Sequence, residues 1–245
     1  MKTQKCLCLT VLFFLMILPT AWAGVYWESV VETRGVPQGM PSNMPKEVLA
    51  QFNKTEVTKN YVSTDASRSE SRDSVLLMDF ASLTICQISP SGRSYTQMDI
   101  RTMMGQGDMG KMVEEMKNSI KITPTDETRT VAGYKCRKYL VSMMMGQGEY
   151  WVSQEVPGYE QLREIGKKMQ EFLEKNPMLR QMNVAGMMEQ LNGFPVQTVM
   201  ETMGMTTVTT LKRIEEKVLD KNLFKVPAGY KKVEMPTMPY AHGTE

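Results

Sequence analysis

The chain has 245 residues, of which 42% are hydrophobic and 23% are charged, and its formal net charge at pH 7 is +2. A chain of this length predicts one domain, which can bury a sizeable core without a metal or several disulfides. The hydrophobic content argues against a wholly disordered protein, and the near-neutral charge argues against a nucleic-acid binder.

Residues 1–23 predict a removable signal peptide. Lys2 and Lys5 form a basic n-region, residues 6–18 are almost wholly apolar, and the segment ends in Ala21-Trp22-Ala23, whose small residues suit signal peptidase. The alternative is a membrane anchor, but the apolar run is shorter than the roughly 20 residues that span a bilayer. We therefore expect cleavage between Ala23 and Gly24, no stable membrane span afterwards, and a periplasmic or secreted product.

Most of the remaining chain has the character of short strands joined by turns. β-Branched and aromatic residues, period-two alternation, and turns rich in Pro, Gly and Ser distinguish these segments. The predicted strands cover residues 24–35, 55–63, 74–80, 83–88, 94–98, 120–130, 134–144, 149–153, 194–202, 206–214 and 230–235. Short links between consecutive strands favour antiparallel hairpins.

Two regions follow a helical period instead. Asp99 is a suitable N-cap for a helix that runs to about Asn118. From Gly158 the apolar residues recur every 3.6 residues, and Asn176-Pro177 divides the region into two helices that end near Gly193. This pattern predicts a helical hairpin inserted at about 158–192.

Together these elements predict a single α+β domain over residues 24–235. We expect a curved, half-barrel-like antiparallel sheet of about nine to eleven strands packed on helices, with the helical hairpin inserted into it. Residues 236–245 are predicted to form a flexible tail. A sheet that curls around helices would leave an apolar seam between the two layers.

Four segments carry a family resemblance: GYKCRKYLV at 133–141, EYWVSQEVPG at 149–158, NGFPVQT at 192–198 and LFKVPAGYKKVEMP at 223–236. In this order they resemble the domain-of-unknown-function family 4412 (DUF4412) of exported bacterial proteins, over residues 25–236. That family is similar in presumed architecture to the periplasmic outer-membrane lipoprotein carriers. The resemblance therefore implies a curved sheet that holds an acyl chain against helices, and it implies no catalytic residues.

The residues themselves predict neither a catalytic site nor a cofactor. The single histidine, His242, lies near the end of the chain, so a Ser-His-Asp or Cys-His arrangement would depend on the predicted tail. Gly105-Gln106-Gly107 lacks the rest of the dinucleotide-binding motif GxGxxG. We therefore expect a protein that is not an enzyme.

Export would leave two cysteines, Cys86 and Cys136. They are candidates for a disulfide in an oxidising compartment, where such a bond would stabilise the fold by about 3 to 4 kcal/mol in the chain-entropy model. The alternative is a pair of buried free thiols.

Methionine is the compositional outlier, with 24 residues in the chain. Its flexible, polarizable side chain lets a groove repack around ligands of different shape. We therefore predict an apolar groove between sheet and helices that holds a lipid, an acyl chain or a hydrophobic segment of an exported protein. The predicted lining is Met103, Met104, Met109, Met112, Met116, Met143, Met145, Met169, Met182 and Met188. The alternative is that methionine merely fills an irregular core.

A second hypothesis uses the thioethers as soft ligands for Cu(I) or as sacrificial oxidation sites. The protein would then handle copper or redox stress in the periplasm. The best-formed cluster for this role is Met235, Met238 and His242.

Overall fold

The computed structural model describes residues 21–40, 45–104, 115, 119–144, 146–174 and 190–234. Within these ranges the chain forms twelve strands, three α-helices and one 3-10 turn. The strands are β1 (Ala21–Gly35), β2 (Lys54–Ser63), β3 (Ala66–Glu70), β4 (Val75–Asp79), β5 (Thr84–Ser89), β6 (Ser94–Asp99), β7 (Lys121–Val131), β8 (Tyr134–Met143), β9 (Gly146–Ser153), β10 (Phe194–Thr202), β11 (Met205–Asp220) and β12 (Lys231–Lys232). The helices are α1 (Lys46–Phe52), α2 (Ile100–Met104) and α3 (Tyr159–Glu174), and the 3-10 turn is Lys221–Phe224.

All twelve strands belong to one sheet, which consists of two meanders joined at its centre. The order is β12-β6-β5-β4-β3-β2-β1-β11-β10-β9-β8-β7. The meanders are β1–β6 and β7–β11, within which every strand pairs with its neighbour in sequence, and the pairing of β1 with β11 joins the two. Strand β12 is added at the edge, beside β6. All pairs are antiparallel except that of β12 with β6. Most of these antiparallel neighbours are joined by short hairpin links, whereas α1 lies between β1 and β2 and α3 lies between β9 and β10.

The prediction of an α+β fold is wrong, because the described chain is mostly β. The three helices have 7, 5 and 16 residues, whereas β1 and β11 alone have 15 and 16. The sequence signals for hairpins were local and correct, and the antiparallel sheet is confirmed. The error lies in the weight given to the helical segments, since one sheet accounts for most of the described secondary structure.

Some predicted elements differ in extent from those in the structure. The helix expected from Asp99 to Asn118 is described only as α2, and most of its remainder lies outside the described residues. The first helix of the predicted hairpin is present as α3, whereas the region of the second, from Pro177, lies mostly outside them. The strand β3 was not predicted, because its sequence ASRSE has little β-forming character.

The first strand overlaps the predicted cleavage site. In the structure Ala21, Trp22 and Ala23 pair along the backbone with Asp220, Leu219 and Val218 of β11. Cleavage after Ala23 would remove these three pairs and leave the rest of the β1–β11 ladder in place. Residues 1–20 of the predicted leader lie outside the described part of the chain.

The main core lies between the centre of the sheet and one face of α3. Val25, Trp151 and Val196 are buried in it, together with Ile165 of the helix. Leu162 and Met169 pack against the same cluster, as their helical spacing from Ile165 requires. Each such buried aliphatic side chain contributes about 1.5–3 kcal/mol, so this face attaches α3 to the sheet.

A smaller core lies beneath the C-terminal segment. Val226 and Tyr230 pack against a buried cluster of Val75, Leu77 and Ile88. Short backbone hydrogen bonds anchor this segment to the β6 end of the sheet, at 2.9 Å from Lys231 N to Arg93 O and 2.8 Å from Val233 N to Tyr95 O. None of the helices in the described ranges is both long and apolar enough to cross a membrane.

The contact between α3 and β1 gives a test of this arrangement. Gly158, just before α3, has a φ of +75°, and a Cβ there would lie 2.9 Å from Val25 Cγ2. We expect Gly158→Ala to lower the free energy of unfolding by about 1–3 kcal/mol, because both the backbone conformation and the contact disfavour a side chain.

The control is Gly166→Ala within α3. A Cβ at Gly166 meets no atom within 4 Å, and alanine is favoured over glycine inside a helix by about 0.8–1 kcal/mol. Urea unfolding should therefore rank Gly166→Ala above the parent and Gly158→Ala below it. Equal stability of the two variants would contradict the described docking of α3.

Candidate functional site

The meander β7–β11 carries an open surface built from three rows of paired residues. Directly opposite residues lie on the same face of a sheet, and so do residues two apart along a strand. The first row is Lys121, Ser142, Gln147, Glu201 and Thr206. The second is Thr123, Leu140, Glu149, Val199 and Val208. The third is Lys138, Trp151, Gln197 and Thr210.

Residues of the first two rows on β7 to β10 line a cavity of about 590 Å³, which we call the trough. A second cavity of about 520 Å³ lies at the strand ends, and Ser142, Gln147 and Glu201 line both. Leu140 is 43% exposed in the trough. The trough therefore presents aliphatic surface between polar walls, beyond the part of the sheet that α3 covers.

Methionines from two hairpins line the smaller cavity, which lies at the strand ends beside the trough. Met143 and Met205 alternate along their strands with Ser142 and Thr206, so they belong to the opposite face of the sheet from Leu140, and Met143 packs against Tyr139 and Val141 there. Met143 ends β8, and Met203 and Met205 flank Gly204 at the β10–β11 turn; all three line the smaller cavity. Met203 has a φ of +47° and is 56% exposed. Asn or Gly is the usual residue at that position of such a turn, so a thioether is held in solvent where turn geometry alone would favour another residue.

A cationic cradle adjoins the inner end of the trough at the third row of residues, although its side chains line neither cavity. The guanidinium carbon of Arg129 lies 3.8 Å from the ring centroid of Trp151, and Lys138 Nζ lies 5.9 Å from it. Lys138 is also 2.8 Å from Glu149 and 3.2 Å from Glu127, and these carboxylates, chiefly Glu149, raise its pKa. Trp151 Nε1 is buried, and it is the one buried side-chain nitrogen or oxygen atom among the described residues without a hydrogen-bond partner.

A separate polar cluster surrounds Glu28 at the β1–β11 pair. A β-bulge places both Lys212 and Arg213 opposite Glu28. Its carboxylate accepts a hydrogen bond of 2.6 Å from the Tyr26 hydroxyl and one of 2.9 Å from Arg213, and Lys212 lies 3.3 Å away. These partners, Tyr26 first, hold the pKa of Glu28 at about 2. Because the carboxylate is ionised and its oxygens are already engaged, this cluster is suited to stability rather than to proton transfer.

The two cysteines are free thiols. Cys86 lies in β5 and Cys136 in β8, so they belong to different meanders, and the candidate disulfide is not formed in the structure. Burial raises the pKa of both thiols. A thiol with a raised pKa is a poor nucleophile at neutral pH.

Only part of the predicted methionine lining can be located. Met143 lines the smaller cavity and packs against the buried cluster of Tyr139 and Val141, whereas Met169 packs against the main core. For the remaining predicted residues the side chain or the whole residue lies outside the description. These are Met103, Met104, Met109, Met112, Met116, Met145, Met182 and Met188. The alternative metal cluster, Met235, Met238 and His242, also lies outside the described residues.

Sequence reasoning missed most of the residues that form the trough. Met203 and Met205 flank a glycine between two strongly β-forming segments, and this hairpin signal could have placed both at one end of the sheet. Arg129 and Gln197 are 68 residues apart in sequence. No local pattern brings them together, because the order of β7 to β10 decides their proximity.

Comparisons with known proteins give one family. The sequence model of DUF4412, described as a domain of unknown function, matches residues 40–230. No curated protein matches the chain. Two solved structures of PNGF-II, in space groups C2 and P21, are 14% identical to the chain, with TM-scores of 0.41 and 0.38. They cover 88% and 87% of this chain, which spans 31% and 32% of theirs, and a similarity at this level carries no argument about fold or function.

The Glu28 cluster predicts a specific dependence of stability on pH. The pKa of Glu28 is lowered from 4.5 to about 2 in the folded state, so its ionisation stabilises the fold above pH 4.5 and this contribution is lost as the pH falls through about 2. Glu28→Gln should therefore lower stability at neutral pH and reduce the loss of stability between about pH 5 and pH 2.

Urea unfolding across that interval measures the effect. The control is Glu215→Gln, which removes a half-exposed carboxylate of β11 that pairs with Lys217. We expect this control to keep the parental pH profile. A parental profile for Glu28→Gln would show that the Glu28 carboxylate does not stabilise the fold.

Proposed function

Because the chain belongs to the DUF4412 family, whose description assigns no activity, we propose a function from the geometry of the trough. The protein is an exported, non-enzymatic binding protein that holds a lipid, an acyl chain or a hydrophobic segment of an exported protein. It acts in the periplasm or outside the cell after loss of the leader. The ligand lies along the trough instead of between sheet and helices.

The observation that carries this proposal is the aliphatic surface left open between the two cavity walls. Leu140 and Val199 lie on the same face of β8 and β10 and both line the larger cavity, with Glu149 of β9 between them. The carboxylate of Glu149 is paired with Lys138 at 2.8 Å, which leaves the two aliphatic side chains as the apolar part of the floor. Burial of apolar surface contributes about 25 cal/mol per Å², so removing some 200 Å² of ligand surface from water would contribute about 5 kcal/mol. The polar walls favour an amphipathic ligand over a purely apolar one.

The three methionines beside the trough support tolerance of different ligand lengths. Met143, Met203 and Met205 line the smaller cavity. A methionine side chain has three rotatable bonds and a polarizable sulfur, so the strand ends beside the trough can repack around ligands that differ in shape. Methionine thus keeps the role predicted for it, with Met143 from the predicted lining and with Met203 and Met205 as new members.

The chemistry of the ionisable groups supports binding without catalysis. Glu149 is paired with Lys138 at 2.8 Å, and Glu28 is held ionised by its partners. Cys136 is buried and has a raised pKa. A general base near neutral pH or an activated thiolate would need the opposite shifts.

Replacing one floor residue tests the proposal. Leu140→Glu places a carboxylate on the aliphatic floor, and we expect it to weaken binding of a fluorescent dodecanoyl probe at least tenfold, because that charge would have to be desolvated under the ligand. The control is Leu76→Glu on β4, where Leu76 is 45% exposed, close to the 43% of Leu140.

Probe fluorescence titrated against the mature protein gives the affinities. The proposal predicts a lower affinity for the probe in Leu140→Glu and the parental affinity in Leu76→Glu. It fails if the parent does not bind the probe, or if the two substitutions have equal effects.

The methionine cluster favours a second candidate function, the handling of soft metal ions. Three thioethers line one cavity, and thioethers are preferred ligands of Cu(I). The site would use Met143, Met203 and Met205 rather than the cluster at the C-terminal end of the sequence.

Titration with Ag(I), a redox-stable substitute for Cu(I), tests this candidate. Met203→Leu removes a thioether that lines the cavity, and we expect it to weaken Ag(I) binding at least tenfold. Met144→Leu is the control, because Met144 is 50% exposed in the neighbouring hairpin and does not line the cavity. Equal Ag(I) affinity in the parent and both variants would contradict the site.

A further inference from the structure

We infer that the ligand of the trough is an anionic amphiphile, with its negatively charged group held by Arg129 and its chain lying over Leu140 and Val199. This inference rests on the proposed binding function and specifies the class of ligand. It concerns a charged end group that neither the family description nor the sequence patterns assign. The cationic cradle at the inner end of the trough would hold this group.

Arg129 has the geometry of an anion-binding group. Its guanidinium covers the Trp151 ring at 3.8 Å, and one Nη atom donates a hydrogen bond of 2.5 Å to Gln197 Oε1. Among the described residues no carboxylate lies within ion-pair distance of Arg129. A guanidinium has five N–H donors. Stacking on Trp151 fixes the position of Arg129, and its hydrogen bond to Gln197 uses one donor, so other donors remain for a carboxylate.

Trp151 gives a second, independent indication of a missing acceptor. Its side chain is 5% exposed, and its Nε1 donor has no partner. A buried donor without an acceptor costs about 1–3 kcal/mol, and native proteins rarely leave one. Because Nε1 is itself covered, a ligand oxygen has to enter beneath Arg129, against the ring, to satisfy this N–H group.

The other charges set the direction in which the ligand lies. Lys138 is already paired with Glu127 and Glu149, so it is less available for a further anion. Glu201 lines both cavities, and no ion pair engages it in the described part of the chain. Because Glu201 repels a negative group, the anionic end belongs at Arg129 and the apolar end lies toward the β10–β11 turn with Met203.

The length of the trough agrees with this direction. Gln197, beside Arg129, and Glu201 are four residues apart on β10, which corresponds to about 14 Å along a strand. The Met203 turn extends the surface further. This span suits the extended chain of a medium-length fatty acid, which dodecanoate represents.

Matched ligands test the inference without any substitution. Isothermal titration of the mature protein with dodecanoate and with dodecan-1-ol, which has the same chain and no charge, should give at least tenfold tighter binding of dodecanoate. In a ¹⁵N spectrum the indole N–H resonance of Trp151 should shift downfield with dodecanoate and not with dodecan-1-ol.

Two variants locate the charged group. Arg129→Gln should weaken dodecanoate binding about tenfold and leave dodecan-1-ol binding within twofold of the parent. Arg137→Gln on β8 is the control, because Arg137 is an exposed arginine paired with Asp126 and does not contact Trp151.

The outcomes separate this inference from the proposed function. If neither amphiphile binds, the proposed function fails and this inference falls with it. If both bind equally, or if dodecyltrimethylammonium binds more tightly than dodecanoate, the trough binds amphiphiles and the inference of an anionic group is wrong. The inference would also be wrong if Arg129→Gln lowered the affinities for dodecanoate and for dodecan-1-ol by the same factor.

Discussion

The pairing of β1 with β11 is the constraint on which the rest of the structure depends. Every other antiparallel pair joins neighbours in sequence, whereas this pair joins the two meanders across almost the whole described chain. Its register is interrupted once, at Glu28, where a bulge brings Lys212 and Arg213 to one buried carboxylate. A slip of one residue would separate these charges, so the cluster helps to specify the register.

The covering elements lie over the centre of the sheet and over its β3–β6 side, and one part of the β7–β10 side stays open. Helix α3 packs over the central core, and the C-terminal segment packs over the β3–β6 region. The face of β7–β10 beyond the core has neither cover among the described residues, and there Leu140 remains 43% exposed. The trough therefore exists because neither covering element extends over these strands. Its polar and apolar side chains are set by which residues pair across the strands.

The sequence predicted what is local and missed what depends on strand order. Hairpins such as β8–β9 and the amphipathic helix α3 have signals within a few residues, and both were found. The α+β class was wrong because helical periodicity says nothing of how much of the fold a helix supplies. The site was predicted on helix faces, whereas the trough and the cationic cradle join Leu140, Val199 and Arg129 from three strands. The sequence did not indicate that the charged Glu28 is buried, because two of its three partners, Lys212 and Arg213, are distant in sequence and only Tyr26 is near.

Photo-crosslinking tests the central claim, that an amphiphile occupies the trough, most directly. A dodecanoic acid analogue with a diazirine in its chain would be irradiated with the mature protein, and the modified residues would be mapped by mass spectrometry. The account predicts adducts on β8 and β10, around Leu140 and Val199, that excess dodecanoate suppresses. Adducts confined to other exposed aliphatic residues, such as Leu76 or the 69% exposed Val218, would contradict it.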